Sequence, residues 1–147
     1  MTVFEVVLVM VIVSIGAAMA YPQVQRMREK KQMTLAADSL QVVADAVRKY
    51  EDEHNVASNF WQPLNWDDLM DRLELKGYVR EDEIQPDFEY SVDTANGRFL
   101  GKMMRNGVAS NVANDWVWFQ PSAVGRSQDR KFVGGSTFQR DLNSDQF

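Results

Sequence analysis

Hydrophobic and polar positions divide this chain into three stretches. From Val6 to Gln25 there is no charged residue, and Val6-Val7-Leu8-Val9-Met10-Val11-Ile12-Val13 is apolar in every direction. A helix apolar all round is buried in protein or lipid, not laid on a surface. About 20 such residues cross a bilayer core. The β-branched residues lower helix propensity in water, but in lipid the backbone must satisfy its own hydrogen bonds and helix wins. After Arg26 the pattern changes. Met33, Ala36, Leu40, Val43, Val47 and Tyr50 recur at spacings of 3 and 4, which is a helical stripe. Leu35, Val42 and Ala46 widen it, while Asp38, Gln41, Asp45, Arg48 and Lys49 lie off it. The pattern predicts one long helix with an apolar segment over 1–25 and an amphipathic continuation over 26–54. The alternative, a coiled coil, is weakened by the small alanines and a run of only about three heptads.

Residues 55–147 read as a globular αβ head. Asn55 to Phe60 is a linker. Asn65 caps a second helix with Asp67 and Asp68 in its first turn, Trp66, Leu69, Met70 and Leu73 on one face, and Gly77 as the stop. Phe88, Tyr90 and Val92 alternate with Glu89 and Ser91 as a half-buried strand. Asn96-Gly97 and Asn106-Gly107 mark turns, with a returning strand over 98–104 between them. Asp115-Trp116-Val117-Trp118-Phe119 reads as a strongly buried strand, and 131–133 and 136–142 supply others. The short connections predict antiparallel pairing. The expected class is α+β: a long N-terminal helix, its apolar half protruding and its amphipathic half packed on an antiparallel sheet.

Composition trims the functional choices. A formal charge of −5 argues against a general nucleic-acid binder, and no specific nucleic-acid partner is expected. With no cysteine there are no disulfides, cysteine zinc sites or cysteine nucleophiles. A single histidine, His54, leaves no histidine pair for a metal, and its setting reads as a polar helix end where an imidazole meets the last carbonyls. No catalytic motif and no phosphate-binding glycine loop is present, so no enzymatic activity and no cofactor are expected. Asp141-x-Asn143-x-Asp145 has alternating oxygen ligands but lacks the glycine and distal Glu of a calcium loop, and reads first as a solvated acidic tail. The pair Trp116/Trp118 reads as core and sheet-face packing rather than a ligand platform; exposed on one side, it would be a subunit contact or adhesive patch.

Three readings of the apolar segment stand at this point: a cleaved secretory signal, a membrane anchor, and a helix buried in a filament core. Ala18-Met19-Ala20 resembles a cleavage site, but the residues before the apolar run carry Glu5 and no Lys or Arg. Glu5 bears on the other two. An acidic residue inside a membrane costs about 2.5–3.5 kcal/mol at the centre and less near the interface. An anchor has no use for it, whereas a helix docking on another chain can match it with a cation such as an N-terminal amine. Gly16 and Pro22 bracket residues 17–21. Pro22 costs about 3 kcal/mol inside a helix and Gly16 about 1. They mark either a tolerated kink or a stretch that unwinds when subunits pack. Arg26, Arg28, Lys30 and Lys31 follow at once, and a positive-inside count alone would keep that end cytoplasmic.

Met1-Thr2-Val3-Phe4-Glu5-Val6-Val7-Leu8-Val9 resembles the processed N-terminus of type IV pilins and pseudopilins: a variable first residue, Thr, two apolar residues, Glu, then a long apolar helix. Met1 in first position resembles the type IVb and conjugative branch, and Pro22 the type IVa and pseudopilin branch. The resemblance covers about the first 50 residues. It implies that a leader is removed by a dedicated peptidase, that Met1 is then N-methylated, and that Glu5 pairs with the amine of a neighbouring subunit. It also implies melting of the Gly16–Pro22 stretch in the fibre and a helix-on-sheet head. The partners implied are further copies of the chain in a helical filament, the inner membrane before assembly, and a pilus assembly machinery. The implied location is an extracellular pilus serving conjugation, adhesion or motility. The alternatives are a type II secretion pseudopilin and a single-pass membrane-anchored binding protein. In a filament, the Arg26–Lys31 cluster would meet acidic residues of neighbours such as Asp38 or Glu51.

Overall fold

The computed structural model describes residues 2–57, 60–122 and 126–134. Its first element is helix α1 (Val3–His54), unbroken over 52 residues and passing through Pro22. The chain forms two compact units, one ending at Gln32 and the other beginning at Met33. In the first, every residue from Thr2 to Arg28 is exposed. The second carries the core.

In the second unit α1 buries Met33, Ala36, Ala37, Ser39, Leu40, Val43, Ala44, Ala46 and Val47. This is the stripe expected from the 3,4 spacing, with one correction. Leu35 is 41% exposed and Val42 only half-buried. Ala37, Ser39 and Ala44 turn inward instead, because small residues let the helix approach its neighbours closely. The helix ends where Asn55 takes a left-handed conformation (φ 48°) and the Val56 amide donates back to Glu51 O at 3.3 Å. His54 Nδ1–H donates to Tyr50 O at 3.1 Å and its ring stacks on Tyr50, so it does meet the last carbonyls.

Helix α2 (Trp66–Leu75) starts where expected, the Asn65 side chain accepting from the Asp68 amide at 2.8 Å. It buries Leu69, Met70 and Leu73. It stops at Gly77, whose φ of 75° lets the Gly77 amide reach Glu74 O and the Tyr78 amide reach Leu73 O, both at 2.9 Å. That pair of bonds is a Schellman end. Val79 follows into the core.

The described strands are β1 (Phe88–Asp93), β2 (Arg98–Arg105), β3 (Val108–Ala109), β4 (Trp116–Gln120) and β5 (Arg130–Val133). All pair antiparallel in the order β1-β2-β4-β5, with β3 beside β2. The expected strand over 136–142 lies outside the described residues. β3 was not foreseen; two residues are too few to show a period. Its turn was: Asn106 (φ 53°) and Gly107 (φ 76°) both take positive φ, as a two-residue type I′ hairpin requires.

Register sorts the two faces of the sheet. Phe99, Met103, Val117 and Phe119 are buried, with Phe88, Tyr90, Val92 and Val133 packed against them. Trp61 joins this core, its ring 4.6 Å from that of Phe99. Gly101 sits between Tyr90 and Val117, where an added Cβ would meet Val117 Cγ2 at 3.0 Å and Tyr90 Cε1 at 3.1 Å. A strand glycine here makes room for the tyrosine ring. Trp116 and Trp118 are not core residues. They alternate with the buried Val117 and Phe119 and so lie on the opposite face.

Long-range ion pairs hold the connections. Arg48 on α1 grips Asp129 with both guanidinium nitrogens, Nη1 to Oδ2 at 2.8 Å, and Asp129 Oδ1 also accepts from the Ser122 amide at 2.8 Å. Arg105 reaches both oxygens of Asp115 at 2.7 Å, and Ser110 Oγ donates to the same carboxylate at 2.6 Å. The Arg105 hydrogen bond holds the Asp115 carboxyl below the usual carboxylate range, against the opposing effect of burial.

Candidate assembly surfaces

The first candidate surface is the N-terminal unit itself. Its apolar side chains have no cover: Phe4 is 75% exposed, Ile12 61% and Val13 63%. The helix is long and apolar enough to cross a membrane. Residues 3–24 span about 33 Å at 1.5 Å per residue, against about 30 Å for a bilayer core. The hydroxyl of Ser14 is satisfied internally, donating to Met10 O at 2.7 Å.

Glu5 sits in the first turn. Its Oε2 accepts from the Thr2 amide at 2.8 Å, and its own amide donates to Thr2 Oγ1 at 3.3 Å. This is a capping box, with Thr2 as cap and Glu5 three positions on. The sequence signal for it is Thr2 followed three residues later by Glu5 at the head of an apolar run. The box ties up one carboxylate oxygen. A carboxylate offers two oxygens and about four lone-pair sites, so Glu5 retains capacity for a second partner. Met1 lies outside the described residues.

Pro22 and Gly16 do not interrupt α1. A Cβ built at Gly16 would meet nothing within 4 Å. Gly16 therefore marks a smooth, open place on the helix, and the proline removes one N–H from its ladder. The weakness expected between them is one of propensity.

Beyond the apolar run, Arg26, Arg28, Lys30 and Lys31 stand on exposed helix. Of the two acidic residues expected to meet such a cluster, Asp38 is held within its own chain by Lys131. Glu51 differs. Its Oε1 is buried without a hydrogen-bond partner among the described residues. Burial pushes its carboxyl up to about 6, with Asp52 adding to the shift and Arg48 opposing it.

The outer face of the sheet is a second candidate. Trp118 stacks on Phe132 with centroids 5.2 Å apart, and Arg98 lies 5.0 Å over the Trp118 ring. Lys102 lies 4.9 Å over Trp116, whose indole N–H donates to Ser110 O at 2.8 Å. Cations thus cover the rings from above, so the pair serves sheet-face packing. Among the described residues no group of three His, Asp or Glu could hold a metal ion. Asp141, Asn143 and Asp145 lie outside those residues.

No family model, curated protein or solved structure matches this chain.

Proposed function

We propose that this chain is a structural subunit that polymerises through its N-terminal helix into an extracellular type IV pilus-like filament. One observation carries the reading: an apolar helix exposed on every side that holds an acidic residue, Glu5, in its first turn. Apolar burial between copies drives assembly. Glu5 fixes the axial register, because a buried carboxylate lacking a cation is costly. The N-terminal amine of a neighbouring copy would supply that cation.

A second reading keeps the helix as a single-pass anchor for a soluble binding domain. Two observations favour it: the Thr2 amide already satisfies one Glu5 oxygen, and α1 runs unbroken through Pro22. That reading expects monomers in detergent and indifference to Glu5.

Electron microscopy of sheared surface material separates the two. With Glu5→Ala or Glu5→Val, membrane levels should stay normal and fibres should fall by at least tenfold. Normal numbers of fibres from either variant would sink the filament reading. Mass spectrometry of the fibres should find Met1 methylated at its amine.

A further inference from the structure

Leu35 and Val42 lie seven residues apart on one face of α1, and neither enters the core. Both line a hollow of about 280 Å³ between α1 and residues 82–86. Ile84 and Pro86 complete an apolar floor. Every charged residue in its wall is acidic: Asp38, Asp82 and Glu83. Asp38 is engaged by Lys131. Asp82 holds Arg80 in a pair with both side chains largely exposed, an interaction of little strength. Glu83 Oε2 accepts from the Arg80 amide at 3.0 Å. The hollow therefore sets Leu35, Val42, Ile84 and Pro86 beside acidic side chains, with Ser39 and Gln85 also in its wall.

The same chain carries a segment of matching chemistry. Met27 is 67% exposed on α1 and stands between Arg26 and Arg28, with Lys31 one turn on. A methionine is unbranched and fills irregular apolar gaps, and its basic flanks match acidic walls. We propose that this hollow receives the Met27 segment of a second copy of the chain, the basic flanks meeting Asp82 and Glu83. Donor and acceptor surfaces differ, so the contact is heterologous and propagates from copy to copy instead of closing a dimer. The inference rests on the filament reading and places one specific contact within it.

The absence of cysteine makes a disulfide test clean. Met27→Cys and Leu35→Cys are exposed positions eight residues apart on α1. Two cysteines that far apart cannot bridge within one chain. Full-length protein in membranes and in sheared fibres, mildly oxidised, should give a ladder of multimers on non-reducing gels. Each single variant should give monomers and few dimers. Asp82→Lys added to the pair should cut the ladder at least threefold, and Arg28→Asp added to that should restore it. Monomers from the double variant in a preparation full of fibres would overturn this contact while leaving the filament reading intact. Dimers as abundant from Met27→Cys alone would also overturn it, because they report a like-to-like contact. So would a crosslinked product containing another protein. If the unsubstituted chain forms no fibres and the double variant no ladder, both readings fall together.

Discussion

At the scale of single residues, Glu51 carries a pH signature close to neutrality. Its carboxyl titrates at about 6 in the folded chain, against an ordinary value of 4.5. Between those values the native state holds the proton more tightly than the unfolded state does. Stability therefore falls as pH rises through that window, and the penalty is full above it. Asp93 and Asp115, held low by hydrogen bonds from Asn96 and Arg105, act in the opposite sense. Their contribution is present above the ordinary value of 3.8 and is lost as pH falls below it. Glu51→Gln should stabilise the protein at pH 7.5 by about 1 kcal/mol or less, since solvent screens a half-open carboxyl. It should also flatten the dependence of Tm on pH between 4.5 and 6. Thermal unfolding of both proteins across that range checks this, and identical slopes would refute it.

At the scale of elements, the connections depend on side chains far apart in sequence. Asp129 lies in the loop between β4 and β5 and is only 6% exposed. Removing it would leave Arg48 half-buried without its carboxylate and the Ser122 amide without its acceptor. Asp129→Ala should therefore destabilise the protein by about 2–3 kcal/mol, and Arg48→Met in the same chain should recover part of that. Urea unfolding of the single and double variants measures the coupling; simple additivity of the two losses would show that the pair does not act as a unit. This pair also marks where sequence reading stops. The helices were legible because a 3,4 spacing and caps such as Asn65 and Gly77 are local signals. Strands β1 and β2 were legible from alternation and from the Asn-Gly turns at 96–97 and 106–107. The pairing of Arg48 with Asp129, 81 positions apart, leaves no local trace. Nor does β4 reveal its faces. Trp116, Val117, Trp118 and Phe119 are all apolar, so alternation cannot say which pair turns inward. The register with β2 decides it: the buried Phe99 pairs with Phe119, while Leu100 and Lys102 pair with the two tryptophans.

At the scale of the whole molecule, burial and apolarity are separated along the chain. The first buried residue is Met33, and every buried side chain described lies beyond it. The longest apolar run, Val6 to Val13, lies before it and contributes nothing to the core. A segment that apolar and that uncovered is not there to hold the head together. It is long and apolar enough to cross a membrane, and it takes no part in the core of the head. The separation has a direct consequence. A fragment beginning at Met33 retains the buried stripe of α1, all of α2 and the five strands. It should be soluble without detergent and monomeric by sedimentation. It should keep the near-ultraviolet circular dichroism of Trp61 packed on Phe99 and unfold in one cooperative transition, with Tm within about 5 °C of the full chain in detergent. A fragment lacking that tertiary signal would mean that the apolar helix also supports the fold. A folded fragment that still assembled into fibres would mean that the helix is not the polymerising element.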